Sequence, residues 1–221
     1  MSGEGFSAVF DMDGVIVDNR AFHFRAWELF AREHGLPFDP AHFKDHLFGR
    51  VNRDILLGLF RGGLSDQEAE LYAVEKEALY RKLYRGRVRP AGGLVRFLDE
   101  LKAAGVTTAV ATSAPRVNLD FVLDEAGLRP YFNVLVDVSA VRKGKPAPDL
   151  YLKAAEELGR RPEDCAAFED SYPGVASALA AGMRVVGVTT THTPAELGHV
   201  HLVIRSFREM SVRKLRALFP A

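Results

Sequence analysis

Five short apolar runs, separated by stretches with helical periodicity, constrain the fold of this chain more than any other feature. The runs are rich in Val and Ala and do not alternate strictly between apolar and polar residues. Such runs are typical of strands that are covered on both faces, as in a parallel sheet. They occupy residues 6–10, 106–111, 133–138, 165–168 and 185–188. The alternation of strands and helices predicts an α/β fold with a doubly wound parallel sheet.

The helical stretches of this pattern carry an apolar stripe and stop at a glycine, which commonly terminates helices. The stretches lie at residues 94–104, 119–126, 150–158 and 171–181, and the glycines that follow are Gly105, Gly127, Gly159 and Gly182.

Residues 19–87 break this alternation, because they contain no convincing strand. Their periodicity predicts helices instead, at residues 22–34, 40–48, 53–60 and 65–84. Ser65 and Glu68 have the spacing of a capping box at the start of the last of these helices. The sequence thus predicts a core of residues 1–18 and 88–221 and an all-helical insertion of residues 19–87.

Composition and charge limit the class of protein and of partner. The 221 residues include 29 basic and 29 acidic side chains, a balance that gives no electrostatic basis for binding nucleic acid or an anionic membrane. Cys165 is the single cysteine, which excludes an intramolecular disulfide and a cysteine zinc cluster. No apolar run approaches the ~18 residues of a spanning helix, and no signal peptide is visible. We expect a cytoplasmic domain, monomeric or weakly dimeric, without nucleic-acid or membrane partners.

The residues that follow the predicted strands carry the chemistry. In open α/β sheets, ligands bind beyond the carboxyl ends of the strands, so side chains at these ends are expected to converge. They are Asp11 and Asp13, Thr112 and Ser113, Lys143 and Lys145, and Glu169 and Asp170. Acids clustered there would repel one another, whereas a divalent cation such as Mg²⁺ together with a phosphate would balance their charge.

Four segments at these strand ends resemble the four motifs of the haloacid dehalogenase superfamily, and they occur in the same order. The segments are DMDGVIVD at residues 11–18, ATSA at 111–114, GKPAPD at 144–149 and FEDS at 168–171. The resemblance spans residues 6 to about 187, and the helical insertion lies where one branch of that family places its cap domain. It implies a Rossmann-like catalytic core with an inserted helical cap.

The resemblance also implies a role for each motif residue. Asp11 is expected to be the nucleophile that attacks phosphorus and forms an aspartyl-phosphate. Asp13 is expected to protonate the leaving oxygen and later to deprotonate the incoming water. Lys145 is expected to neutralise the nucleophile and the phosphoryl charge. An acid at position 13 also favours phosphoryl transfer, because the dehalogenases of the family lack an acid there.

The remaining motif residues are expected to hold the metal ion and the phosphate. The resemblance implies that Mg²⁺ is bound by Asp11, by the backbone carbonyl of Asp13 and by Asp170, with Glu169 as a further ligand or as an orienting group. Phosphate oxygens are expected to contact the second motif, through Thr112, the Ser113 hydroxyl and the backbone N–H of Ala114.

The insertion resembles the cap of the β-phosphoglucomutases, most clearly in the segment FHFRAW at residues 22–27. His23 and Lys76 match cap positions that serve the mutase in proton control at the hinge and in substrate contact. The mutase loop has a Lys and an Arg where this chain has Phe48 and Asn52, so its site for the distal phosphate is altered. Arg50 and Arg53 are the candidate substitutes, although a shift of one residue on a helix turns a side chain by ~100°.

Three functions therefore stay open from the sequence. The first is a Mg²⁺-dependent phosphatase for a small phosphorylated metabolite, such as a sugar phosphate or phosphoglycolate. The second is a phosphosugar mutase of the β-phosphoglucomutase type, which uses the same aspartyl-phosphate. The third, which the complete set of motif residues disfavours, is a phosphate-binding protein without catalytic activity on the same scaffold.

Several of these residues also have plainer interpretations. The Asp-x-Asp-Gly segment at residues 11–14 has turn-forming composition, and Glu169 and Asp170 are suited to capping the helix that follows. Ser113 could be an ordinary hydroxyl at a strand end, and Lys145 a solvated side chain. His42 and His46 have i, i+4 spacing, but a third metal ligand is not evident, so they are interpreted as a surface pair.

Overall fold

The computed structural model describes residues 5–43 and 51–220, apart from the side chain of His42. The chain divides into two compact units: Met1–Asp18 with Val88–Ala221, and Asn19–Arg87. We call the first the sheet unit and the second the helical unit. Phe48, Arg50 and His46, which entered the sequence predictions, lie outside the described residues. The roles expected of the two units, catalytic core and cap, stay predictions.

A six-stranded sheet with every neighbouring pair parallel forms the centre of the sheet unit. The strands are β1 Ser7–Phe10, β2 Thr107–Ala111, β3 Val134–Val136, β4 Cys165–Glu169, β5 Arg184–Val188 and β6 Leu202–Ile204. Their order is β3-β2-β1-β4-β5-β6. The predicted doubly wound α/β fold is confirmed, and β1 and β4 lie side by side in its middle.

Helices connect and cover these strands. In the part of the chain that the structure describes they are α1 Arg20–Glu33, α2 Pro40–His42, α3 Asn52–Leu59, α4 Asp66–Tyr84, α5 Leu94–Ala103, α6 Arg116–Glu125, α7 Asp149–Glu157, α8 Tyr172–Ala180 and α9 Val212–Arg216. Short 3₁₀ turns lie at Arg129–Tyr131, Val138–Ala140, Pro162–Asp164 and Phe207–Glu209. No helix among the described residues is long and apolar enough to cross a membrane.

The middle of the sheet is held by apolar side chains on both of its faces, as continuous apolar strands predict. Phe10 of β1 stacks on Phe168 of β4, with ring centroids 4.6 Å apart. Val9 and Ala167, the preceding residues of the same strands, are fully buried in the core that α7 and α8 cover. Because both central strands are packed on both faces, their carboxyl ends are rigid supports for the residues that follow.

The predicted third strand is shorter than expected, and the last elements of the chain were not predicted. β3 stops at Val136 because the Asp137 carboxylate accepts a hydrogen bond from Ser139 N at 2.9 Å and starts a 3₁₀ turn. β6 and α9 have three and five residues. Such short elements have too little periodicity to be separated from loops by sequence pattern.

The helical unit begins and ends at adjacent points of the sheet unit. Ala91 N donates to Ile16 O at 2.8 Å, and Val17 forms an antiparallel bridge with Pro90. The two segments that lead to and from the insertion are thus hydrogen-bonded to each other.

Aromatic side chains form the core of the helical unit. Trp27 and Phe30 of α1 pack with Ile55 and Leu56 of α3 and with Phe43. The longest helix, α4, starts at the predicted capping box, in which Glu68 N donates to Ser65 Oγ and Ser65 N donates to the Glu68 carboxylate. This confirms the predicted start of α4.

Candidate active site

Three buried carboxylates meet at the carboxyl edge of the sheet. Asp11 directly follows β1, Glu169 is the last residue of β4, and Asp170 comes next. Because β1 and β4 are parallel neighbours, these positions lie side by side. One carboxylate oxygen from each residue lies within 4.8 Å of the others. The structure thus brings together acids from two motifs that are about 160 residues apart in the sequence.

Lys145 is the cation of this cluster. Its Nζ lies 2.8 Å from Asp11 Oδ1 and 2.6 Å from Glu169 Oε1, and its side chain is 6% exposed. The solvated interpretation of Lys145 is therefore wrong, whereas Lys143 is exposed. One ammonium beside three carboxylates leaves an excess of negative charge inside the protein.

Glu169 accepts hydrogen bonds from five protein groups. Its Oε1 accepts from Lys145 Nζ at 2.6 Å and from the Tyr151 hydroxyl at 2.7 Å. Its Oε2 accepts from Asp170 N, Ser171 N and Ser171 Oγ, at 3.0 to 3.3 Å. These contacts favour the orienting role of Glu169 over direct metal ligation. The start of α8 is capped by Ser171 instead, whose Oγ accepts from Gly174 N at 3.2 Å. The expected role of Glu169 as a metal ligand stays a prediction.

Two glycines make room for this carboxylate cluster. Gly14 has φ +80°, and a Cβ there would lie 1.9 Å from Asp170 Oδ2. A Cβ at Gly174, in the first turn of α8, would lie 1.8 Å from Glu169 Oε1. Gly14 is therefore required for its backbone conformation as well as for space, and it is more than a generic turn residue.

Burial and mutual repulsion shift the pKa values of the cluster. Burial, followed by the charge of Glu169, raises the pKa of Asp170 to about 7. Burial raises the pKa of Asp11 well above its usual value, although Lys145 opposes this. Burial lowers the pKa of the Lys145 ammonium, but Asp11 and Glu169 raise it by more, so its net shift is upward.

The donor set fits a hard divalent cation. Asp11 and Asp170 offer carboxylate oxygens, which Mg²⁺ prefers. Burial, and to a smaller extent the neighbouring carboxylates, raises the pKa of both groups. The acids that repel one another in the protein would be stabilised as anions by such a cation.

The end of β2 places the second motif at the same edge of the sheet. Thr112 is buried, and its N donates to Val136 O at 3.0 Å, whereas Ser113 is exposed. Ala114 N donates to Thr112 Oγ1 at 3.1 Å, so this amide already has a partner within its own loop. The expected contacts of Thr112, Ser113 and Ala114 with phosphate stay predictions, as does the acid–base role of the partly exposed Asp13.

A second polar cluster is buried inside the helical unit. Lys76 Nζ lies 2.8 Å from Glu77 Oε1 and 3.0 Å from His23 Nδ1, and it faces the Trp27 ring. His23 stacks on the Tyr80 ring at 3.8 Å. Burial, followed by the Lys76 charge, lowers the pKa of His23 to about 3. The structure thus brings together two residues, His23 and Lys76, that were expected to serve the cap.

Asn52, rather than Arg53, belongs to this second cluster. The Asn52 side chain donates to Glu77 Oε1 at 2.7 Å. Arg53, the next residue of α3, is exposed and forms an ion pair with Asp66 at 2.5 Å. The substrate contact expected of Arg53 stays a prediction, and that expected of Arg50 lies outside the described residues.

We expect the helical unit to lose stability on mild acidification. The unfolded chain binds a proton at His23 near pH 6.5, whereas the folded protein does so only near pH 3. Because the unfolded state then binds more protons, the free energy of unfolding falls as the pH is lowered through this window. Between pH 7 and pH 5 the expected loss is about 2 kcal/mol.

Urea denaturation at these two pH values, followed by fluorescence, measures this loss. Trp27 is the only tryptophan of the chain, and its place in the core of the helical unit makes the signal specific. His23→Phe retains a ring against Tyr80, so the difference in stability between this variant and wild type isolates the titration of His23 from that of the buried carboxyls. That difference should change by about 2 kcal/mol between pH 7 and pH 5, and a difference that is the same at both pH values would contradict the low pKa of His23.

Sequence reasoning missed two residues that contact the acidic cluster. Tyr151 lies on the buried face of α7, and its hydroxyl donates to Glu169. In the sequence its ring is part of an apolar stripe, so the pattern indicates a core residue and not a polar contact. Thr191 belongs to the loop after β5, and its hydroxyl donates to Asp170 Oδ2. A phenol on an apolar helix face was a usable signal for Tyr151, whereas the sequence around Thr191 offers none.

Comparison with known proteins gives consistent results over most of the chain. A family model described as haloacid dehalogenase-like hydrolase matches residues 7–182. Hexitol phosphatase A of Escherichia coli (strain K12) is 33% identical over 214 residues, which cover 97% of this chain and 96% of the relative. Beta-phosphoglucomutase of Bacillus subtilis (strain 168) is 32% identical over 191 residues, which cover 82% of each protein.

A solved structure has the same fold. The crystal structure of a HAD hydrolase, family IA, variant 3, from Entamoeba histolytica HM-1:IMSS superposes with a TM-score of 0.90 at 30% identity. The match covers 96% of this chain and 98% of that one. The chain is thus similar both to a phosphatase and to a mutase.

Proposed function

This chain belongs to the haloacid dehalogenase-like hydrolase family, and from that premise we propose that it is a Mg²⁺-dependent phosphatase of a small phosphorylated metabolite. A sugar phosphate or a compound of the phosphoglycolate type is the proposed substrate class. The observation that carries the proposal is the contact of Lys145 Nζ with both Asp11 and Glu169 at the carboxyl edge of the sheet. It holds a charged lysine against the carboxylate that is to act as nucleophile.

Asp11 is the proposed nucleophile. One of its carboxylate oxygens attacks the phosphorus in line, the bond from phosphorus to the ester oxygen breaks, and an aspartyl-phosphate forms. Lys145 opposes the rise in the pKa of Asp11 that burial causes and offsets the charge that develops on the phosphoryl oxygens. Glu169 holds Lys145 in position for this role, and the Tyr151 hydroxyl donates to the same Glu169 oxygen.

Asp13 is the proposed general acid and base. It lies two residues beyond the nucleophile and is partly exposed, so its side chain can exchange protons with solvent between steps. It donates a proton to the departing ester oxygen and later accepts one from the water that hydrolyses the aspartyl-phosphate. The products are an alcohol and inorganic phosphate.

The proposed Mg²⁺ ligands are the Asp11 carboxylate, the backbone carbonyl of Asp13 and the Asp170 carboxylate. Glu169 is proposed to orient the residues around these ligands. When bound, Mg²⁺ supplies positive charge that offsets the repulsion between these carboxylates and the phosphate. Ser113, Thr112 and the Ala114 amide are proposed to contact the remaining phosphate oxygens. His23, Lys76, Arg50 and Arg53 are the proposed substrate contacts of the helical unit.

A phosphosugar mutase is the second candidate, because His23 and Lys76, which match cap positions of the β-phosphoglucomutases, lie 3.0 Å apart in the helical unit. Against it, the mutase needs fixed cations for a second phosphate. Asn52 stands where the mutase loop has an Arg, and it is bound to Glu77. Arg53 pairs with Asp66 on the surface, and such an exposed pair is too weak to exclude a contact with substrate. The contact of Asn52 with Glu77 therefore supports hydrolysis over transfer to a second sugar oxygen.

Incubation with β-glucose 1-phosphate, Mg²⁺ and a trace of glucose 1,6-bisphosphate separates these two functions. A phosphatase is expected to release inorganic phosphate from this ester or from others in a broad phosphoester panel. Formation of glucose 6-phosphate without release of phosphate would establish the mutase instead. No turnover of any ester in the presence of Mg²⁺ would overturn both and favour a phosphate-binding protein without activity.

A further inference from the structure

We propose that Thr191 is a positioning residue that fixes Asp170 for binding a divalent cation. The Thr191 hydroxyl donates a hydrogen bond to Asp170 Oδ2. The inference rests on the cation site of the proposed function, and it adds to that site a residue from outside the four motifs. Thr191 lies in the segment between β5 and β6, beyond the residues that match the family.

The loop that carries Thr191 is anchored to the sheet by an apolar contact. Leu197 is buried in the core of the sheet unit. Its Cδ1 would lie 2.9 Å from a Cβ at Gly187, a residue of β5. The absence of a side chain at Gly187 therefore lets the loop pack directly on the strand, and this close packing restricts where the loop can lie.

A local turn gives the same loop a defined shape. Glu196 accepts hydrogen bonds from Thr193 N and Thr193 Oγ1, each at 2.8 Å. In turn, Glu196 N donates to Thr193 Oγ1, and Leu197 N donates to Thr193 O. These reciprocal bonds define the backbone of residues 193–197, which begins two residues after Thr191.

A ring contact joins the loop to the segment that carries Asp170. His192 lies against the ring of Tyr172, with ring centroids 4.4 Å apart. Tyr172 begins α8 and is two residues from Asp170. Both supports, the His192 ring on Tyr172 and the buried Leu197, follow Thr191 in the chain, and they restrict where the loop that carries its hydroxyl can lie.

The hydrogen bond from Thr191 selects one orientation of the Asp170 carboxylate. Its Oδ2 also lies where Gly14 leaves space, so the carboxylate is confined between that backbone and the Thr191 hydroxyl. A ligand that is already oriented loses less conformational freedom when a cation binds. Outer partners of this kind commonly change metal affinity by about 10–100-fold.

Calorimetric titration of the metal-free protein with Mg²⁺, without substrate, tests this role. Thr191→Val keeps the shape of the side chain and removes the hydroxyl, and it is expected to weaken Mg²⁺ binding by about 10–100-fold. Thr191→Ser restores a hydroxyl and should bind Mg²⁺ within about 3-fold of wild type. Thr190→Val is the matched control, because it changes the neighbouring, partly exposed threonine and leaves Thr191 in place.

Two results would overturn the inference. The first is a folded Thr191→Val protein that binds Mg²⁺ as tightly as wild type, and the second is a wild-type protein that binds no Mg²⁺ at millimolar concentration. The titration is independent of turnover. If the expected order of affinities is found in a protein that hydrolyses no phosphoester, the proposed activity fails while the role of Thr191 stands.

Discussion

Asp11→Asn is expected to reduce the rate of phosphate release by at least about 10⁴-fold, because the amide cannot form the aspartyl-phosphate. The fold should survive, since the substitution is nearly isosteric and removes one of three mutually repelling carboxylates. Phosphate release under saturating substrate and Mg²⁺ measures the first effect. Thermal denaturation of the same preparation measures the second.

The matched control for this variant is Asp124→Asn. Asp124 is an exposed residue near the end of α6 and pairs with Arg129 on the surface, so its loss should leave the rate of phosphate release unchanged. Aluminium or beryllium fluoride, which mimic a phosphoryl group, should be trapped on Asp11 of the wild type and lost in Asp11→Asn. A folded Asp11→Asn protein with wild-type turnover would show that Asp11 is not the nucleophile.

Lys145→Met is expected to have the largest effect on stability. It removes the ammonium that contacts both Asp11 and Glu169 and leaves their buried charges without that partner. Removing one member of a buried ion pair costs about 3–5 kcal/mol. We expect that loss in the free energy of unfolding at pH 8 in metal-free buffer, with a fall in turnover of about 10²–10³-fold.

The stability of Lys145→Met should recover as the pH is lowered. Burial already raises the pKa of Asp11, and burial with Glu169 raises that of Asp170 to about 7. Without Lys145 these pKa values rise further. Between pH 8 and pH 5 the folded protein then binds protons at these carboxyls, whereas the same groups in the unfolded chain stay ionised down to about pH 4. Acidification from pH 8 to pH 5 then increases the free energy of unfolding.

Urea denaturation at both pH values tests this prediction, with Lys153→Met as the control. Lys153 lies on the surface of α7 and pairs with Glu156 and Glu157. Exposed pairs of this kind contribute little to stability, so the control should match wild type at both pH values. A Lys145→Met protein as stable as wild type at pH 8 would show that the cluster needs no cation.

The central fold could be predicted from the sequence because its strands are buried on both faces. β1 and β4 appear as uninterrupted apolar runs, and the polar residues directly after them mark the sheet edge. Because β1 and β4 are parallel neighbours, the proximity of Asp11 and Glu169 follows from the strand order alone, and side-chain positions are not needed to predict it. β6 lacks such a signal, because a three-residue strand contributes less than one full alternation of buried and exposed positions.

The details of the candidate site depended on side-chain direction, which the sequence does not give. Asn52 and Arg53 are adjacent, yet one is bound to Glu77 and the other faces solvent, as the turn of a helix requires. Thr191 reaches Asp170 only through the packing of a loop about 20 residues further along the chain. Motif spacing therefore located the acids and Lys145, whereas their supporting partners became visible only in three dimensions.

The pairing of residues 16–17 with residues 90–91 brings the two ends of the insertion together within the sheet unit. Val17 and Pro90 form a bridge, and Ala91 N donates to Ile16 O. The segments that flank the insertion are therefore paired with each other whatever length of chain is inserted between them. Insertions are tolerated where the flanking ends are already close in space. Exchange of the inserted helices for others is therefore compatible with an unchanged sheet unit, including its cluster of buried carboxylates.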